Sequence, residues 1–148
     1  MNMIKAKNLT KSFGSLKVFE NLNMTVEKGE VVVIIGPSGS GKSTFLRTVG
    51  LNLLLSYIGA KTYSKSFRSG IFNIYTCMRT SDNLEESISS FYAEILRIKI
   101  LIDAAKRGER VFFLLDEIFK GTNSKDRHEG ARVLINQLVE NGSIGLVS

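Results

Sequence analysis

The sequence predicts an α/β fold in three layers, with a mainly parallel sheet and a small antiparallel β element at the N-terminus. Three observations predict it. Two short, continuously apolar runs, Val31–Ile35 and Val111–Leu115, have the make-up of strands covered on both faces. Stretches with helical periodicity separate the apolar runs, and strands alternating with helices close into a parallel sheet between helix layers. The glycine-rich segment GPSGSGKST at 36–44 follows the first of those runs directly, in a strand–loop–helix setting.

Taken in order, Met3–Lys7 and Leu22–Val26 alternate apolar and polar residues, and Lys17–Glu20 is a further strand candidate. The turn Glu27-Lys28-Gly29-Glu30 leads into Val31–Ile35. From Lys42 to about Ile58 the chain reads as a helix ended by Gly59. Residues 60–70 are polar and read as loop with a short strand, and Ile71–Met78 reads as a strand. Asp82 and Glu85 have the spacing of a capping box. Apolar residues at 84, 88, 91, 95, 98 and 102 then mark a helical stripe that stops at Gly108. Val111–Leu115 runs into Asp116-Glu117. The loop 121–124 opens a helix with apolar residues at 131, 134, 135 and 138, which Asn141-Gly142 closes. Ser143–Ser148 is the last strand. Nothing marks a linker or repeat, so residues 1–148 are expected to form one domain.

Composition narrows the function classes. At 148 residues, with 43% apolar and 23% charged residues, the chain is long enough for a genuine core. One cysteine, Cys77, excludes an internal disulfide and fits a reducing compartment, where it reads as a small buried hydrophobe. No apolar stretch approaches membrane-spanning length and the N-terminus lacks a signal-peptide core, so a cytoplasmic location without membrane insertion is expected. The net charge of +6 comes from basic residues dispersed among acids, which reads as a solvated surface rather than a nucleic-acid footprint.

The chemistry is carried by two motifs. GPSGSGKST is G-x-x-x-x-G-K-[ST], the phosphate-cradling P-loop or Walker A pattern. Gly36, Gly39 and Gly41, with Ser38 and Ser40 between them, let the backbone curl so that N–H groups face phosphate oxygens. Lys42 offers a point charge to the β- and γ-phosphates and Ser43 a hydroxyl to Mg²⁺, and the helix opening at Gly41–Lys42, with Thr44 in its first turn, turns its positive dipole end to the anion. The second motif, VFFLLDE at 111–117, ends a hydrophobic strand in two carboxylates at the sheet edge where ligands bind in open α/β folds. Asp116 is expected to hold Mg²⁺ through water, and Glu117 to polarise the water attacking the γ-phosphate as general base. A nucleoside triphosphate with Mg²⁺ is therefore expected in a P-loop NTPase sandwich, the residues leaving adenine (ATP and ADP) against guanine open.

Paired in this way, the motifs resemble the ATPases of the ABC superfamily, and the resemblance splits along the chain. Residues 1–50 resemble the ATP-binding subunit of an ABC transporter of the amino-acid importer type, through IKAKNLTKSFG at 4–14, VEKGE at 26–30 and the P-loop. That likeness implies that Phe13 stacks on adenine; the residues themselves equally allow a core phenylalanine. Residues 51–148 depart from it. There is no LSGGQ-type signature, no proline follows the acidic pair, and the interval from Lys42 to Asp116 is short. They resemble instead the ATPase domain of the MutS mismatch-repair family, through NIYTCMRTSDNL at 73–84, SISSFYAEI at 87–95 and LLDEIFKGTNSKDRHEG at 114–130. The MutS likeness implies that Ser89 reaches across a head-to-tail homodimer to the partner's ATP. His128 is expected to face solvent.

The two likenesses meet near residues 45–58, which predicts a recombinant or designed chimera with weak or dimer-dependent ATP hydrolysis. The competing expectations are a folded nucleotide-binding chain with no reaction, and a mismatch-repair fragment. DNA is not an expected partner without the mismatch-binding parts that precede the ATPase domain in MutS proteins. In both families a γ-phosphate-sensing histidine lies beyond the position of Ser148. A terminal carboxylate there is expected to repel phosphate and weaken binding or turnover.

Overall fold

The computed structural model describes residues 2–78 and 87–148. Its elements in chain order are β1 (Asn2–Phe13), β2 (Leu16–Glu27), β3 (Val31–Val33), α1 (Lys42–Tyr57), β4 (Ser66–Ser69), β5 (Asn73–Cys77), α2 (Ser87–Lys106), β6 (Val111–Leu115), α3 (Ser124–Glu140) and β7 (Ile144–Val147). They form a mixed α/β fold with two sheets, an antiparallel one ordered β2-β1-β4 and a parallel one ordered β3-β7-β6-β5.

The alternation of side chains along β6 explains the layering. Phe112 and Leu114 enter a core shared with Leu46, Val49 and Leu53 of α1 and with Ile4, Leu9 and Val26 of the antiparallel sheet. Val111, Phe113 and Leu115 point the other way, into a second core with Ile98 and Leu101 of α2 and Leu134 and Leu138 of α3. All five β6 residues are buried, as the continuous apolar run predicts. The parallel sheet is thus the middle layer of three.

The N-terminal β element differs from expectation in extent. Residues 17–20 and 22–26 are not two strands but parts of the single long β2, which pairs antiparallel with β1 across a turn at Gly14. The break in alternation comes from register shifts. Asn8 and Asn21 both adopt positive φ, and their N–H groups go to Asn23 Oδ1 (3.0 Å) and Thr10 Oγ1 (3.2 Å). Asparagine tolerates that conformation better than most residues. The 60–70 segment supplies β4, which adds to the free side of β1.

A second correction concerns Val31–Ile35. Only Val31–Val33 is strand, and the run is not covered on both faces: Val33 is 58% exposed and Ile35 91%. β3 lies at the sheet edge, while α2 packs on β5 and β6 at the other side, so the helix layer leaves the end of β3 open. The predicted α2 stripe holds in part: Ile98 is buried and Ile102 half-buried, but Ile95 is exposed, and Leu101, Ala104 and Ala105, outside the predicted stripe, are buried. Residues 82, 84 and 85, including the capping box, lie outside the described residues. Glycines at positive φ follow α1 (Gly59), α2 (Gly108) and α3 (Gly142), where the sequence placed the helix stops.

Candidate functional site

The carboxyl ends of β3, β7 and β6 lie side by side, because these strands are parallel and adjacent in that order. Leaving β3, Ile34 N–H still donates to Val147 O at 2.8 Å, and the chain then turns out of the sheet. Gly36, Pro37, Ser38, Gly39 and Ser40 are exposed, whereas Lys42, Ser43 and Thr44 are half-buried at the start of α1.

Two glycines in this loop have specific reasons. A Cβ on Gly36 would lie 2.7 Å from Ser40 Oγ, so a side chain here would push the Ser40 hydroxyl aside. Gly41, the residue before α1, has φ 91, and a Cβ there would lie 2.6 Å from Val18 Cγ1 of β2. No side chain caps α1 and no acid lies in its first turn, so its first N–H groups keep their pull on an anion. Lys42 Nζ folds over the loop, donating to Gly36 O at 2.8 Å and Pro37 O at 2.9 Å. The loop thereby holds a cation at its mouth. Thr44 enters through its carbonyl, which accepts Thr48 Oγ1 at 2.8 Å.

Across β7, the chain after β6 makes an unusual turn. Asp116 is buried; its N–H donates to Cys77 O (2.9 Å) and its Oδ1 accepts Ser148 Oγ at 2.5 Å. Glu117 N–H donates to Ser148 O at 3.2 Å. Its side chain is exposed, its φ is 51, and its carboxylate pairs with Lys120. Phe119 also adopts positive φ, 59, and its N–H donates to Glu94 Oε1 at 2.6 Å. Asn123 then caps α3, its Oδ1 accepting Asp126 N–H at 2.9 Å. Burial, with the charge of Glu94 adding to it, pushes the Cys77 thiol up to about 11, so it remains a protonated core residue.

The remaining sequence candidates sit on β1, α2 and α3. Phe13 ends β1 at the hairpin turn, 56% exposed, with Lys11 Nζ 4.6 Å from its ring centroid and 5.3 Å from that of Tyr63. The same hairpin reaches the phosphate-type loop through Val18 against Gly41, and packs on α1 through Phe19 and Phe45, whose ring centroids are 5.6 Å apart. Ser89 lies in the first turn of α2, and its side chain is outside the described residues. His128 is exposed. Among the described residues, no group of three or more His, Cys, Asp or Glu side chains could hold a metal ion by itself. The oxygen donors present, the Ser43 hydroxyl and the Asp116 carboxylate, suit a hard cation that keeps waters and takes phosphate oxygens as further ligands.

Sequence reasoning missed Glu94, Lys120 and Ser148. Glu94 and Ser148 had no local signal, because each acts on a residue far away in the chain. Lys120 was readable in principle, lying three residues after Glu117.

A glycine-rich loop and an acidic strand end at one carboxyl edge of a parallel sheet define a P-loop ATPase fold. Within that class the chain belongs to the MutS domain V family, whose model matches residues 32–148. The DNA mismatch repair protein MSH3 of Candida glabrata is 30% identical over 138 residues, covering 92% of this chain and 13% of that protein. The arginine transport ATP-binding protein ArtM of Bacillus subtilis is 59% identical over 49 residues, 33% of this chain and 20% of ArtM. In structure, a putative ABC transporter ATP-binding protein from Pyrococcus furiosus superposes with a TM-score of 0.60 at 16% identity, covering 98% of this chain and 90% of that one. The likeness to both MutS-type and ABC-type ATPases is thus real. The chain spans only a small part of the curated relatives it matches. Among the described residues, no helix is long and apolar enough to cross a membrane.

Proposed function

We propose that this chain is an ATP·Mg²⁺-binding ATPase domain in which a transporter-like phosphate loop is joined to a MutS-like acidic half, hydrolysing ATP weakly and as a head-to-tail dimer. The observation that carries this reading is the side-by-side placement of the 36–44 loop and the Asp116-Glu117 turn across β7. Gly36, Ser38, Gly39, Ser40 and Gly41 would present backbone N–H groups to phosphate, with Thr44 in the first turn of α1. Lys42 would exchange its two carbonyl partners for phosphate oxygens, a stronger, charge-assisted contact. Ser43 and Asp116 would hold Mg²⁺, which when bound neutralises developing phosphate charge. Glu117 would accept the proton of the attacking water, Phe13 would stack on adenine, and Ser89 would complete the partner's site. The chimeric origin is supported by a 49-residue match at 59% identity beside a nearly whole-chain match at 30%. A cytoplasmic location fits the single buried cysteine.

One observation favours a second reading, nucleotide binding without turnover. Lys120 pairs with the Glu117 carboxylate, and a carboxylate held in an ion pair is less free to engage an attacking water. Calorimetry with ATP and GTP in the presence of Mg²⁺, repeated on Lys42→Ala, tests the site; unchanged binding in that variant sinks it. Turnover that rises with protein concentration and vanishes in Glu117→Gln supports the ATPase. Binding without turnover at any concentration supports the second reading. DNA engagement would require salt-sensitive retention on DNA.

A further inference from the structure

The geometry points to Glu94 as the positioning residue that sets the 116–119 turn, and with it the direction of the Glu117 carboxylate. This rests on the ATPase reading above. Glu94 is half-buried on α2, on the face that also carries Ile98 and Leu101, where a carboxylate must find a donor. The donor it finds is Phe119 N–H, at 2.6 Å, a short charge-assisted bond.

That contact falls where the backbone needs it. Glu117 and Phe119 are both in the left-handed region, at φ 51 and 59, a conformation unfavourable for a non-glycine residue. Such a turn persists only where its surroundings over-determine it. Asp116 N–H is anchored on Cys77 O of β5, Glu117 N–H on Ser148 O after β7, and Phe119 N–H on α2. The first two acceptors are backbone; Glu94 alone is a side chain. α2 also seats closely on the chain just beyond, since a Cβ on Gly121 would lie 2.9 Å from Phe91 Cδ2. The Glu117 side chain is exposed and, among the described residues, its carboxylate pairs with Lys120 of its own turn. Its aim is therefore inherited from the backbone that Glu94 fixes.

The test compares Glu94→Ala and Glu94→Asp, which lose or retract the acceptor, with Glu94→Gln, which keeps an oxygen at the same reach. Amide hydrogen exchange at Phe119 and steady-state turnover of ATP are read on each. Without the acceptor, Phe119 exchange rises at least about tenfold, while amides of β6 hold their protection. The same two variants lose about a hundredfold in kcat with KM within about twofold, the cost of misplacing a reacting group by an ångström. Glu94→Gln retains both properties. Unchanged exchange in Glu94→Ala and Glu94→Asp overturns the anchoring role. Faster exchange with unchanged kcat, or kcat and KM altered together, overturns the positioning of Glu117. If the parent chain itself turns nothing over, the ATPase reading falls, and the exchange measurement alone decides whether Glu94 sets the turn.

Discussion

Ser148 Oγ donates to Asp116 Oδ1 at 2.5 Å, tying the end of β7 to the carboxylate that closes β6. Asp116 is buried, so this bond satisfies an oxygen largely withdrawn from water. Ser148→Ala leaves a buried acceptor unpaired and is expected to lower stability by about 1–3 kcal/mol. Urea unfolding at neutral pH measures it, and a loss under about half a kilocalorie would mean that water replaces the hydroxyl without cost.

Phe13 separates binding from folding. Its ring is 56% exposed and touches Lys11, so Phe13→Ala should change the unfolding midpoint little. If a base stacks there, nucleotide affinity falls by about 1–3 kcal/mol, roughly 5- to 150-fold. Calorimetry with ATP and with inorganic triphosphate discriminates: the triphosphate, lacking a base, must bind Phe13→Ala and the parent alike.

Cys77 makes stability sensitive to alkali. Its folded pKa is raised from 9.0 to about 11, so the folded state favours the thiol. That contribution is fully present below pH 9 and is lost as pH rises through about 11. Tyr57 and Tyr75 are also raised by burial and add to the loss above pH 10. Cys77→Ala should therefore flatten, without abolishing, the fall in urea midpoint between pH 9 and 11. An equally steep fall in that variant would remove the thiol from the account.

At Phe119 the backbone conformation reverses an ordinary preference. With φ at 59, Phe119→Gly should be more stable than Phe119→Ala by about 1 kcal/mol, although glycine usually costs more chain entropy. Both lose the packing of the ring against the second core and Gly130. Thermal unfolding of the pair checks this, and alanine equal to or above glycine would show that the turn relaxes to negative φ.

The sheet and its helices were legible because their signals are local. Val111–Leu115 announced a strand buried on both faces, the glycines at 59, 108 and 142 announced helix ends, and 131, 134, 135 and 138 marked the inner face of α3. Where neighbours in space decide, the reading slipped. Val31–Ile35 is as continuously apolar as β6, yet its position at the sheet edge leaves Val33 and Ile35 exposed. Periodicity on α2 gave a stripe through Ile95 and Ile98; Ile98 is buried, whereas the exposure of Ile95 and the burial of Leu101 and Ala105 depend on how α2 lies across β5 and β6.

The candidate site divides in the same way. The 36–44 loop is contiguous, so its glycines, Lys42 and Ser43 could be named from spacing alone, as could Asp116 and Glu117 at the end of an apolar run. By itself the sequence determined the residue types for phosphate and metal chemistry and the order in which strands and helices follow one another. Only the tertiary structure decided that β7 lies between the two motifs, that Ser148 meets Asp116, and that Glu94 reaches the turn holding Glu117. Those contacts join residues 25 to 32 positions apart, and no local propensity or period encodes a pairing that exists only once the layers are packed.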